Sequence, residues 1–110
     1  MNYLAHLFLA GTHPEIILGN FIADHVKGKE ILNYSDSVKE GIAMHRAIDT
    51  FTDQHYVVKQ SIARLRNDFR KYAGVIVDMY YDHFLSFEWD KYAPVDIHTF
   101  TKSRYEILNS

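Results

Sequence analysis

Apolar residues recur at helical intervals along almost the whole chain. Residues 1–10, MNYLAHLFLA, are apolar on nearly every side and predict a short, central helix. Thr12 as N-cap, Pro14 in the first turn and Glu15 closing a capping box predict a second helix reaching about Val26. Gly28 then sits where a C-terminal glycine belongs. Ser37 and Glu40 form another capping box and launch a helix holding GIAMHRAIDTFTD, residues 41–53. From about His55 to Tyr72, the residues Val58, Ile62, Leu65, Phe69 and Tyr72 share one face and predict a core stripe. Gly74 breaks the chain before VIVDMYYDHFLSFEW, a long helix apolar almost all round. Pro94 ends that region, and Asp96 caps a last helix, IHTFTKSRYEILN. No strand alternation, internal repeat or low-complexity linker competes. The expectation is an all-α fold, one compact multi-helix domain over residues 1–110.

Polar groups interrupt the apolar faces of several of these helices. Residues one turn apart lie about 40° apart around a helix axis, so His45 and Asp49 share a face. That face is bordered by Val38 and Ile42 on one side and by Met44, Ile48 and Phe51 on the other. Arg46 falls outside it and reads as solvated. Asn20 and Asp24 repeat the spacing among Leu18, Phe21 and Ile22, and Asp78 and Asp82 repeat it beside Val75, Leu85 and Trp89. His83 leaves that same helix on another side, and His6 projects from the first helix. Taken singly, each has a plain structural explanation: a lone buried His is ordinarily a hydrogen-bonded core residue, and an Asp can cap a helix or pair with Lys. Recurrence on several helices changes the balance. Buried carboxylates raise one another's pKa unless a cation holds them ionised, and a divalent metal shared by Asp and His from different helices is the economical arrangement.

Composition narrows the chemistry. Hydrophobic residues make up 47% of the 110 and aromatics 15%, enough to build a core. A net charge of -2 advertises no nucleic-acid partner. With no Cys there is neither thiolate nucleophile nor thiolate ligand, so oxygen and imidazole donors favour Mn, Mg or Fe over structural zinc. The first Lys or Arg is Lys27, so the apolar start lacks the charged region of a signal peptide, and no run approaches a membrane span. A cytoplasmic protein is expected, with no membrane partner. H-E-x-x-H, Glu-x-x-His, a Walker loop and G-x-S-x-G are all missing.

Four blocks, MNYLAHLFLA, LGNFIAD, GIAMHRAIDTFTD and DMYYDHFLSFEW, resemble the acyl carrier protein phosphodiesterase family in order and content. HRAIDTFTD and DHFL are the most specific of them. The resemblance implies a helical fold related to the HD-domain phosphohydrolases and an Mn2+-dependent phosphodiesterase that removes 4'-phosphopantetheine from the serine of holo-acyl carrier protein. Mg2+ or Fe2+ are the other cations considered. Family members are longer, so this chain matches their N-terminal part, and a second copy supplying the missing surface would make a homodimer. QHY also replaces the His-Pro often found after the FTD motif.

On this basis Asp24, His45, Asp49 and Asp78 are expected to hold the metal, with His6 and Asn20 orienting them. Arg46 would steady the phosphate, and His83 would protonate the leaving serine oxygen or orient water. Asp53 and Asp82 are the remaining motif carboxylates assigned to catalysis. Lys59, Arg66 and Arg70, at i, i+7 and i+11, align as a basic stripe that could steer an acidic carrier protein, although an ordinary solvated face has the same look. Two other functions fit the same residues: an HD-like hydrolase of a small phosphoester, and a non-catalytic helical module that binds the carrier protein.

Overall fold

The computed structural model describes residues 3–110; what was expected of Met1 and Asn2 lies outside the described residues. Six α-helices follow in order: α1 (Tyr3–Leu9), α2 (Pro14–Ile22), α3 (Asp36–Gln54), α4 (Tyr56–Phe69), α5 (Ala73–Phe87) and α6 (Ile97–Leu108). Short 3-10 turns occupy Ala23–His25, Gly28–Asn33, Arg70–Tyr72 and Trp89–Lys91. No strand occurs among the described residues, in keeping with the all-α expectation. Nor is any described helix long and apolar enough to cross a membrane.

The helix ends differ in detail from the capping signals. His13, not Thr12, caps α2, because its Nδ1 accepts the Glu15 backbone N–H at 3.2 Å. Ser35, not Ser37, caps α3: its Oγ accepts from the Val38 N–H and donates to Glu15 Oε1 at 3.1 Å, tying the start of α3 to that of α2. Asp96 caps α6 as expected, accepting the Thr99 N–H at 2.9 Å. Gly74 is not a break but the second residue of α5. The break falls at Arg70, whose φ of 49° is the one left-handed value among the described non-glycine residues. That reversal ends α4 at Phe69. The expected core stripe ends with it: Val58 is buried, while Phe69 and Tyr72 stay 46% and 61% exposed.

Helices α2 and α3 make the most extensive contact in the molecule. Two glycines explain how closely they meet. A Cβ on Gly19 would fall on the Val38 carbonyl oxygen and come within 2.8 Å of Gly41 Cα; one on Gly41 would fall on the Ile16 carbonyl oxygen and within 2.9 Å of Gly19 Cα. Glycine inside a helix costs about 1 kcal/mol relative to alanine, so two at matching heights mark backbones in contact. Below this crossing, Ala23, Val26, Val38 and Ile42 form one buried cluster with Leu18, Ile22 and Ile31 packed against it.

A second cluster lies on the other side of α2. Leu7, Ala10, Ile17, Trp89 and Phe100 are buried together, with Phe8 edge-on to Trp89 at 5.1 Å and Phe100 tilted against it at 4.8 Å. Trp89 Nε1 donates to the Val95 carbonyl at 2.8 Å, so its polar edge is satisfied. Helix α1 is held at its amino end by Asp82 of α5, whose two carboxylate oxygens accept the Leu4 and Ala5 N–H groups at 3.0 and 3.1 Å. The molecule is flattened, with extents of 43 × 37 × 19 Å.

Replacing Gly41 by Ala forces α2 and α3 apart against backbone that cannot yield, and should destabilise the fold by about 2 kcal/mol or more. Urea denaturation checks this. The same substitution at Gly74, which has open space around its Cβ position, serves as the control and should leave stability unchanged or raise it by up to about 1 kcal/mol.

Candidate metal centre

The α2–α3 crossing sets the site's dimensions. One turn beyond Gly41 on α3 comes His45, and one turn beyond that comes Asp49. Gly19 on α2 leads to Asp24 in the following 3-10 turn. Helix α1, suspended from Asp82, brings His6 against the same spot. His6 and His45 are 2% and 3% exposed, and their rings stack with centroids 3.7 Å apart and planes 12° from parallel. His6 Nε2 lies 3.0 Å from Asp49 Oδ1. His45 Nε2 lies 3.2 Å from Asp49 Oδ2 and 3.2 Å from Asp24 Oδ1.

The nitrogen of His45 is the informative atom. It is buried between two carboxylate oxygens, yet neither contact has hydrogen-bond alignment, so the atom has no hydrogen-bond partner. A buried polar atom in that condition is costly. One donor atom from each of His6, His45 and Asp49 can be taken within 4.8 Å of the others. Contacts of about 3 Å between neighbouring donors are what adjacent ligands adopt around a divalent cation with bonds of about 2.1 Å. Two imidazoles and a carboxylate oxygen are donors that a divalent cation takes, and the residues present fit such an ion.

Electrostatics point the same way. Burial, and then the neighbouring His45, hold the His6 imidazole below its ordinary pKa of 6.5 against the opposing pull of Asp49. The neutral ring, which is the ligand form, is favoured. Burial pushes the Asp78 carboxyl above its ordinary range, and repulsion from Asp53 and Asp49 adds to this. Asp78 thus stands within electrostatic reach of the centre, on the α5 side, without joining the closest donor group.

The structure redistributes several expected roles. His6, expected only to orient ligands, is as close to the Asp49 carboxylate as any group in the site. Asn20 is fully buried, but its Nδ2 faces the Ile16 carbonyl at 3.4 Å and Met44 Sδ at 3.3 Å rather than the histidines. Asp82, expected among the catalytic carboxylates, is engaged at the amino end of α1 through the Leu4 and Ala5 N–H groups. His83 is exposed on the outer face of α5, beside the Phe84 and Phe87 rings, because Asp82 and the buried Ala73 and Val77 fix the rotation of that helix. It does not face the centre. Arg46 is exposed, and its Nη2 donates to the Val26 carbonyl at 3.2 Å, near Asp24 in sequence. Asp53 is exposed at the end of α3. Arg70 leaves the α4 spiral, which breaks the expected stripe: Arg66 and Arg70 join Lys71, Ile62 and Gly74 around a recess of about 470 Å³, and Lys59 stands apart from it. The two glycines were not singled out from the sequence, although glycine inside a helical pattern was the available signal.

A lowered His6 pKa means that the unfolded chain binds a proton more readily than the folded one over the interval below 6.5. Metal-free protein should therefore lose stability as pH falls from 8 through 6.5 and below, well before carboxylates titrate. Urea midpoints at pH 8 and pH 5.5 read this out, and His6→Gln should flatten the difference.

Comparison with known proteins places this geometry. The sequence profile of the acyl carrier protein phosphodiesterase family matches residues 1–110. A protein of Photorhabdus laumondii named acyl carrier protein phosphodiesterase is 45% identical over 94 residues, covering 86% of this chain and 48% of the relative. Proteins of the same name from Yersinia enterocolitica and Salmonella agona are 43% and 40% identical, over 86% of this chain and 49% of each relative. The chain thus spans about half the length of the curated relatives it matches. No solved structure matches it. Matched along its whole length by that profile, the chain belongs to the acyl carrier protein phosphodiesterase family.

Proposed function

We propose that this protein is a divalent-cation phosphodiesterase, acting in the cytoplasm on the 4'-phosphopantetheine–serine linkage of holo-acyl carrier protein and yielding the apo form. One observation carries the reading: the buried His45 Nε2 sits between Asp24 and Asp49 oxygens without a hydrogen bond, beside the stacked His6. His6, His45, Asp49 and Asp24 would hold the cation, which family resemblance suggests is Mn2+. Asp78, within electrostatic reach of Asp49 and Asp53, is a further carboxylate beside the site. When bound, the cation supplies charge neutralisation at the phosphodiester and a water of lowered pKa.

The chain's own residues do the rest. His6 and His45 stack on each other and both lie against Asp49, which holds the three side chains in register. Arg46 spends one donor on the Val26 carbonyl, and its other guanidinium N–H groups can take a non-bridging phosphate oxygen beside Asp24. The protein named in the relatives is a carrier protein, and we assign its docking to the recess edged by Arg66 and Arg70, with Lys59 as a distant contributor. A module that binds carrier protein without turnover is the second reading.

Purified protein should retain close to one equivalent of Mn2+, and His45→Ala or Asp49→Ala should lower metal affinity by roughly 100-fold or more. Elemental analysis and a holo-to-apo conversion assay separate the readings. Metal with conversion supports the enzyme; metal with carrier binding and no conversion supports the module. Full metal content and full conversion in both variants would remove the assignment.

Reversing Arg66 and Arg70 to Glu should weaken carrier-protein binding roughly tenfold at low salt and flatten its salt dependence. Lys59→Glu should have a smaller effect. Titration at two ionic strengths checks this, and identical affinities would discard the recess as the docking surface.

A further inference from the structure

Two carboxylates stand one turn apart on α5, Asp78 and Asp82, and they have different surroundings. Asp78 lies within electrostatic reach of Asp49 and Asp53. Asp82 meets α1 instead, where Oδ2 accepts the Leu4 N–H at 3.0 Å and Oδ1 the Ala5 N–H at 3.1 Å. Those N–H groups belong to the first turn of α1, which has no preceding helical carbonyl to accept them. Their partner lies 78 and 77 residues farther along the chain, so a tertiary contact does the work of a local cap. His6 follows Ala5 directly and is buried. Elsewhere α1 is held by apolar packing, with Leu7 in the core cluster and Phe8 edge-on to Trp89. Packing of that kind resists separation but has no direction, whereas hydrogen bonds fix both distance and angle. The 3.0 Å contact of His6 with Asp49 and the 3.7 Å separation of the stacked rings leave little tolerance for a slide of α1.

We propose that Asp82 is a positioning residue for His6: its two bonds to the start of α1 fix where that imidazole meets Asp49 and the His45 ring. That His6 then serves a cation rests on the metal reading above; that Asp82 sets its place does not. Asp82 stands outside the donor group itself. Both its oxygens are engaged by α1, and the converging atoms among the described residues come from His6, His45 and Asp49. The residue type matters as well as the shape. Both groups that Asp82 meets are donors, so a carboxamide in its place keeps one acceptor oxygen and turns an NH2 toward the second N–H. Alanine keeps neither acceptor. The grip on α1 therefore weakens in the order Asp, Asn, Ala.

Nuclear magnetic resonance of the metal-free protein reads the ring positions directly. The wild type should show nuclear Overhauser contacts between the His6 and His45 ring protons, weakened in Asp82→Asn and lost in Asp82→Ala. Asp96→Ala removes a cap of the same chemistry from α6 and should leave those contacts unchanged, since its carboxylate accepts from Thr99 and not from α1. Mn2+ titration reads the consequence. Asp82→Ala should weaken binding roughly 10–100-fold, Asp82→Asn less, and Asp96→Ala not at all. The double variant Asp82→Ala with His6→Ala should bind Mn2+ only as weakly as His6→Ala alone, because a residue acting through His6 adds nothing once His6 is gone. If circular dichroism shows Asp82→Ala unfolded, Asp82→Asn carries both measurements. Ring contacts that survive undiminished in both Asp82 variants overturn the proposal. So does a double variant weaker than His6→Ala by the full Asp82 factor, since Asp82 would then act by another route. Wild-type protein that binds no Mn2+ removes the metal reading, and the ring contacts alone then decide the role of Asp82.

Discussion

The near-contact of two helix backbones governs the rest of this molecule. Where α2 and α3 cross, Gly19 and Gly41 leave no room for even a methyl group. Three polar groups of the centre are measured from that point: His45 and Asp49 by one and two turns of α3, Asp24 by the short 3-10 continuation of α2. Were the axes farther apart, as larger side chains would require, the imidazole of His45 would no longer reach both carboxylates. The two glycines lower helix propensity, and the closeness they permit makes the chemistry geometrically feasible.

Around this crossing the chain solves a familiar problem of buried charge. Asp49 is only partly buried and is flanked by two imidazoles, both nearly inaccessible to solvent. Stacking excludes water from the ring faces, and burial keeps His6 neutral. The result is a group of donors with lone pairs directed at common space. Two imidazoles and a carboxylate so placed can hold a divalent cation.

Much of this was legible in the sequence, for identifiable reasons. Periodicity found every helix, and Asp96 was recognised as a cap because its side chain and Thr99 stand at the usual separation. His45, Asp49 and Asp24 could be grouped because one-turn spacing inside apolar surroundings survives folding as a shared face. Rotation of a helix about its own axis was harder to read. Helix α5 is apolar almost all round, so nothing in its pattern said that Asp82 would turn toward α1 and His83 outward. His6 was undervalued because a single histidine in an apolar helix carries no periodic signal. The reversal at Arg70 was invisible as well, since left-handed backbone at a non-glycine residue is set by the packing of α4 on α5 rather than by local preference.

Asp82 has a mechanical consequence. Helix α1 spans seven residues, Tyr3–Leu9, too few to be stable by themselves, and Asp82 holds its amino end. The imidazole of His6 is therefore carried on a lever whose pivot belongs to another helix. A twist of α5 about its long axis swings the pivot, tilts α1 and moves His6 relative to Asp49. Pressure on the far side of α5 is thus linked through Asp82 to the spacing of the donors.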